Sequence, residues 1–190
     1  MDNRKVIIFS APSGAGKSTV VNHLLGIFPQ FEFSISATSR APRGTEQNGK
    51  EYYFIDAERF RQLISEDAFV EYEEVYEDRF YGTLKSEVQR IWEGGHVIVF
   101  DVDVKGGVNL KKYFGDKALS VLIVPPSMEE LEQRLRARGT DSEEAICERL
   151  AKAGSELKFA AGKFDYRLVN DILEETFAEA EKVVNEFLER

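Results

Sequence analysis

Cysteine is almost missing from this 190-residue chain. Cys147 stands alone, so no disulfide can form within the chain and a reducing compartment is expected. It falls in a helical pattern, where a lone cysteine is expected to pack rather than react. Histidine is nearly as scarce: His23 and His96 lie far apart, and no Cys/His spacing suggests zinc. No apolar stretch approaches the roughly 20 residues that cross a bilayer, and the early run VIIF is too short for a signal-like segment. The cytoplasm is therefore the expected location, with no membrane partner. An excess of positive charge is lacking as well. With 34 acidic against 25 basic residues the net charge is −9, which disfavours a nonspecific grip on nucleic acid. Any polyanion must meet a local basic pocket. Repeats, low-complexity tracts and obvious linkers are absent too.

What is present is an ordinary supply of core: 43% of residues are apolar, enough for one domain with insertions. Three short β-branched runs, VIIF at 6–9, VIVF at 97–100 and LSVLIV at 119–124, read as buried strands of a parallel sheet. Helical periodicity follows or separates them. Val20, Val21, Leu24, Leu25 and Phe28 share one face over 17–28. Leu84, Val88 and Ile91 do so over 84–94, and Phe177, Ala180, Val184 and Phe187 form a stripe from about Leu173 onward. The alternation predicts an α/β fold with a central parallel sheet flanked by helices. Two regions interrupt it. Residues 31–83 are rich in aromatics with partial alternation, carry a turn-prone EQNG at 46–49 and a short helix around 57–66, and read as a small antiparallel or mixed-sheet insertion. Residues 127–155 follow Pro125-Pro126 and read as two charged helices joined at Gly139.

The strand VIIF runs into APSGAGKST, which departs from the phosphate-loop pattern G-x-x-x-x-G-K-[ST] only in its first glycine, here Ala11. Gly14 and Gly16 permit close approach of backbone amides to phosphate. Lys17 can reach the β- and γ-phosphates, Ser18 can ligate Mg²⁺, and the helix from residue 17 presents its N-terminal dipole to the anion. Ala11 is tolerable there if its φ is negative. The whole loop, Ala11, Pro12, Ser13, Gly14, Ala15, Gly16, Lys17, Ser18 and Thr19, is thus the expected ATP cradle. The strand ending VIVFDVD places Asp101 and Asp103 where an acid can hold Mg²⁺, directly or through water; the bland alternative is a solvated strand end followed by a turn at KGG, 105–107.

Arginines on so acidic a chain draw notice. Arg134 and Arg138 share one helical face, Arg136 points elsewhere, and Arg149 lies one helix later. They suit the charge that spreads over a transferring phosphoryl group, although a charge run is more commonly a solvated face, here paired with Glu129, Glu130 and Glu132. Arg40 and Arg43, in SATSRAPR, offer two guanidinium groups to a terminal phosphate, or are surface arginines in a turn.

These residues together resemble the guanylate kinase family. APSGAGKST, SRAPRGTEQNGKEYYF, FVEYEEV, YGT, DVDVKGG, PPSMEELEQRLRARGTDSEEAICERL and VND stand in the family's order across nearly the whole chain. The resemblance implies a P-loop kinase core in 1–33, 84–126 and 156–190, a GMP-binding insertion in 34–83 and a helical lid in 127–155. It implies transfer of the γ-phosphoryl group of ATP to GMP with Mg²⁺, in purine nucleotide metabolism and GMP recycling. Arg40, Arg43, Tyr52 and Tyr81 would hold the GMP phosphate. Ser36, Glu71, Thr83 and Asp103 would read guanine, Arg134, Arg138 and Arg149 would serve the transferring phosphates with Lys17, and Asn170 would lie on the ATP side. The guanine assignment has its own chemical sense, because a carboxylate such as Glu71 can accept from N1–H and the 2-amino group together, which adenine cannot satisfy. Four departures stand out: Ala11, Lys105 where glutamine is common, Ile172 after VND, and one extra residue between Glu71 and Tyr81 that lengthens the turn before Tyr81 and Thr83. Two rivals remain, a monophosphate kinase with another acceptor base and a non-catalytic guanylate-kinase-like module that binds protein. The latter kind characteristically loses phosphate-loop chemistry, whereas Lys17, Ser18 and the arginines are present here.

Overall fold

A computed structural model describes residues 4–139 and 141–190. Residues 1–3 of the expected core and Thr140 of the expected lid lie outside the described residues. The chain forms two compact units, one comprising Gln30–Ile98 with Arg4 and the other Lys5–Pro29 with Val99–Arg190.

The three apolar runs become β1 (Val6–Ser10), β7 (Val97–Val102) and β8 (Ala118–Val124), the middle of a five-stranded parallel sheet. Its order is β2-β7-β1-β8-β9, with β2 at Phe31–Phe33 and β9 at Tyr166–Val169. Every residue of β1 and β8 is buried, which is why these strands are continuous apolar runs rather than alternating ones. Each buried Val, Ile, Leu or Phe of these strands stabilises the fold by about 1.5–3 kcal/mol through burial.

Helix α1 (Lys17–Ile27) buries Val20, Val21 and Leu24. Helix α7 (Leu173–Leu188) buries Ala180, Val184 and Phe187 as its stripe requires, while Phe177 stacks on His23 of α1 at 3.9 Å. Lys5 donates to the carbonyl of Phe187 (3.0 Å), placing a cation at the negative end of α7.

In the unit Gln30–Ile98, a second sheet runs β4-β3-β6-β5, from β3 (Ala37–Thr38), β4 (Tyr53–Phe54), β5 (Phe69–Tyr76) and β6 (Arg79–Leu84). It is mixed: β3 pairs parallel with β4 and antiparallel with β6. Helix α2 (Ala57–Ser65) inserts Phe60 against Phe69 and Phe80, ring to ring at 4.4 and 5.1 Å. Helix α3 (Lys85–Glu93) completes this unit and buries Val88 and Ile91.

The remaining helices are α4 (Val104–Phe114), α5 (Met128–Ala137) and α6 (Glu143–Ala160). Residues 105–107 are therefore the first turn of α4, not a turn after a solvated strand end. Their glycines serve packing: a Cβ on Gly107 would lie 2.2 Å from Ser10 Oγ. Strand β9 has no counterpart among the expected strands, being a short edge strand with one fully buried residue, Leu168. Cys147 is exposed on α6, so the packing expected of it does not occur. No described helix is long and apolar enough to cross a membrane.

Candidate active site

The loop between β1 and α1 has the geometry its glycines suggest. Gly14 and Gly16 have φ of +93° and +88°, a region that side chains disfavour. Gly16 caps α1, and a Cβ there would meet the Asn170 amide nitrogen at 2.1 Å. That amide donates to the carbonyl of Ala15 (2.8 Å), so buried Asn170 holds the loop from behind. Among described residues the non-glycines with positive φ are Asp67 and Asp78. Ala11 is not one of them, and at 7% exposure it sits in ordinary backbone with its methyl packed away. The missing first glycine costs the loop nothing in conformation.

Lys17 opens α1 with its ammonium paired to the Asp101 carboxylate and donating to the carbonyl of Val102 (2.8 Å). Asp103 spends one oxygen as the N-cap of α4, accepting from Gly106 N (2.7 Å). Asp101 thus faces the loop cation, whereas Asp103 lines the cleft over the loop. A cleft of about 400 Å³ opens over the loop, lined by its residues together with Asp103, Arg138, Lys152 and Glu156. Among the described residues, no three acids, histidines or cysteines gather as a metal cage. Ser18 and Asp101 instead offer the one or two hard oxygen ligands with which Mg²⁺ is commonly held beside phosphates, so the donor set fits that ion.

The lid arginines differ from one another. Arg134 pairs with Glu130 (2.8 Å) and donates to the carbonyl of Asn170 (2.9 Å). Arg136 is bound to Glu132 and Glu143 and turns away, as its helical phase predicts. Arg149 lies 3.1 Å from Asp141 and reaches the loop hydroxyl of Ser13 at 3.5 Å. Arg138 faces the cleft itself. Lys152 and Glu156 were not foreseen, yet with Arg149 they fall at i, i+3 and i+7 of α6, a helical-face signal that was available. Burial pushes the Glu156 carboxyl up, Lys152 draws it down, and the charge of Asp103 adds to the rise.

The unit Gln30–Ile98 gathers most of the residues expected to bind GMP. Arg40 stacks over Tyr52 (4.9 Å) and Phe54 (5.7 Å), and Tyr52 meets Tyr81 edge-on at 6.0 Å. Glu46, missed by sequence reasoning, accepts from both terminal guanidinium nitrogens of Arg40 (2.6 and 2.8 Å) and from the backbone N–H of Arg43 (2.7 Å). The Arg40 contact foremost, then the Arg43 amide, bring the Glu46 carboxyl down to about 2. A carboxylate sits where one guanidinium fork and a backbone N–H converge, a donor geometry that also suits phosphate. The Arg43 side chain is exposed. Thr83, fully buried, donates to Glu71 (3.0 Å), fixing that carboxylate's direction. Ser36 accepts at its carbonyl from Tyr53 N (2.9 Å). Asp103 belongs to the other unit.

The longer turn does not disturb this arrangement. Glu71 faces Thr83 and Glu73 faces Tyr81 in a register unbroken from Glu71 to Glu74, with irregularities to either side, between Phe69 and Glu71 and between Glu74 and Tyr76. A bulge at the hairpin end absorbs the extra residue.

A family model described as guanylate kinase matches residues 3–187. The chain belongs to the guanylate kinase family. It is 57% identical over 184 residues to the guanylate kinase of Bacteroides fragilis, covering 97% of this chain and 90% of that protein. It is 55% identical over 185 residues to that of Porphyromonas gingivalis, covering 97% and 98%. The crystal structure of guanylate kinase from Anaplasma phagocytophilum superposes with a TM-score of 0.74 at 30% identity, spanning 98% of this chain and 87% of that one. The guanylate kinase fold is thus the fold seen here.

Proposed function

We infer that the protein is an ATP-dependent guanylate kinase that transfers the γ-phosphoryl group of ATP to GMP, giving ADP and GDP, within purine nucleotide metabolism and GMP recycling. The observation that carries this is the intact phosphate loop: Gly16 at the start of α1, with Lys17 beside an acid at the end of β7. A module of this family that only bound protein would have no need of that arrangement.

In this reading residues 1–33, 84–126 and 156–190 are the nucleotide core, 34–83 the GMP-binding part and 127–155 the lid. The loop amides and Lys17 take the ATP phosphates, with Asn170 bracing the loop. Ser18 would hold Mg²⁺, with Asp101 acting directly or through water once Lys17 turns to phosphate; the ion would supply neutralising charge to the ATP phosphates. Arg40, Arg43, Tyr52 and Tyr81 receive the GMP phosphate, replacing Glu46 on Arg40. Glu71, oriented by Thr83, accepts from guanine, with Ser36 and Asp103 completing the base site. Arg134, Arg138 and Arg149 spread their charge over the transferring group.

Catalysis is positioning and electrostatics. The acceptor phosphate oxygen is already a nucleophile, so the transfer is in-line and direct, and no side chain need take a proton from it.

Replacing Lys17 with Ala tests the assignment. We expect kcat to fall by roughly 10²–10³-fold or more while circular dichroism and GMP binding persist. A variant with near-normal kcat would remove the loop from the mechanism.

A further inference from the structure

We propose that Glu87 is a positioning residue for the acceptor site: its buried carboxylate ties together the two chain segments that carry Ser36 and Tyr52, and so sets the affinity for GMP. The inference rests on the assignment of Ser36 and Tyr52 to that site.

Glu87 lies on the first turn of α3, and its side chain is 1% exposed. An ion buried to that degree is unfavourable unless its oxygens are fully engaged, and here they are. One oxygen accepts from Ile35 N (3.1 Å) and from Arg90 (2.9 Å). The other accepts from the Tyr53 hydroxyl (2.9 Å) and from Arg90 Nε (2.9 Å). Arg90 is itself held by Glu32 of β2 at 2.6 Å.

The sequence positions of these partners give the cluster its meaning. Ile35 precedes Ser36, and Tyr53 follows Tyr52. In extended chain, neighbouring side chains point to opposite faces. Tyr53 turns to Glu87, while Tyr52 turns to Tyr81 and carries Arg40 over its ring. The two segments also meet directly, Tyr53 N donating to Ser36 O (2.9 Å). Glu87 therefore clamps from behind the backbone whose other face presents base-reading and phosphate-holding groups. An apolar side chain would fill the space, but it could not fix Ile35 N and the Tyr53 hydroxyl at once.

The test compares Glu87→Ala, Glu87→Gln and Tyr53→Phe with Ser36→Ala and Tyr52→Phe, measuring kcat, the KM for GMP, the KM for ATP and the melting temperature. Glu87→Ala should raise the KM for GMP roughly tenfold and leave the KM for ATP within about twofold. Tyr53→Phe, which removes one hydroxyl and keeps the fold should Glu87→Ala not, should raise it a few-fold. Glu87→Gln, which keeps an acceptor for Ile35 N, should fall between wild type and Glu87→Ala. Two results would overturn the proposal: Tyr53→Phe and Glu87→Gln leaving the KM for GMP unchanged while Ser36→Ala and Tyr52→Phe raise it, or both KM values shifting together with stability. If Ser36→Ala and Tyr52→Phe themselves change nothing, the acceptor-site assignment fails and the proposal with it.

Discussion

Gly16 and Glu71 show how far single residues decide this site. At Gly16 a methyl group meets both a positive φ and the Asn170 amide. Gly16→Ala should lower the melting temperature by roughly 2–8 °C and weaken ATP binding in calorimetry; an unchanged variant would mean the loop is not held as described. At Glu71 the carboxylate is already oriented by Thr83. Glu71→Gln replaces one acceptor oxygen with a donor facing guanine's own donors, so the KM for GMP should rise roughly 10–100-fold with that for ATP unchanged. Equal effects on both would detach Glu71 from base reading. Lys17, Gly14 and Gly16 could be read from sequence because their spacing is dictated by phosphate. Glu46 could not, since nothing in its neighbourhood says that it folds back onto Arg40.

Among the elements, α3 and its Glu87 cluster make the most specific statement about stability. Burial pushes the Glu87 carboxyl up, but Arg90, the Ile35 amide and the Tyr53 hydroxyl outweigh it and hold it below the usual 4.5. A carboxyl lowered in the folded state contributes fully above its unfolded value and loses that contribution as pH falls through the folded one. The melting-temperature gap between wild type and Glu87→Gln should therefore be constant from about pH 7 to 5 and shrink below about 4.5; a gap independent of pH would contradict the ionised cluster. Elements were legible where periodicity was strong. The three central strands and helices α1 and α7 were clear because one face or the whole run is apolar. Helix α4 was hidden by Lys105-Gly106-Gly107, where Gly107 marks a close approach to Ser10 rather than a turn. Strand β9 was hidden because a short edge strand carries little pattern. The bulge between Glu74 and Tyr76 is likewise a three-dimensional answer to one extra residue.

The whole molecule is an acidic protein, net charge −9, proposed to take two anionic substrates. The basic groups proposed to receive them are local: Lys17, Arg138 and Lys152 at one cleft, Arg40 and Arg43 in the other unit. Affinity for extended polyanions should be negligible, and no shift of double-stranded DNA is expected with micromolar protein in about 0.1 M salt. A clear shift would reveal a basic surface that these pockets do not supply. The central claim concerns the acceptor, and steady-state ADP production from MgATP with GMP, AMP, UMP, CMP and dTMP offered separately tests it most directly. Turnover confined largely to GMP is the expected result. Comparable turnover with another base, or none with any acceptor, would contradict it.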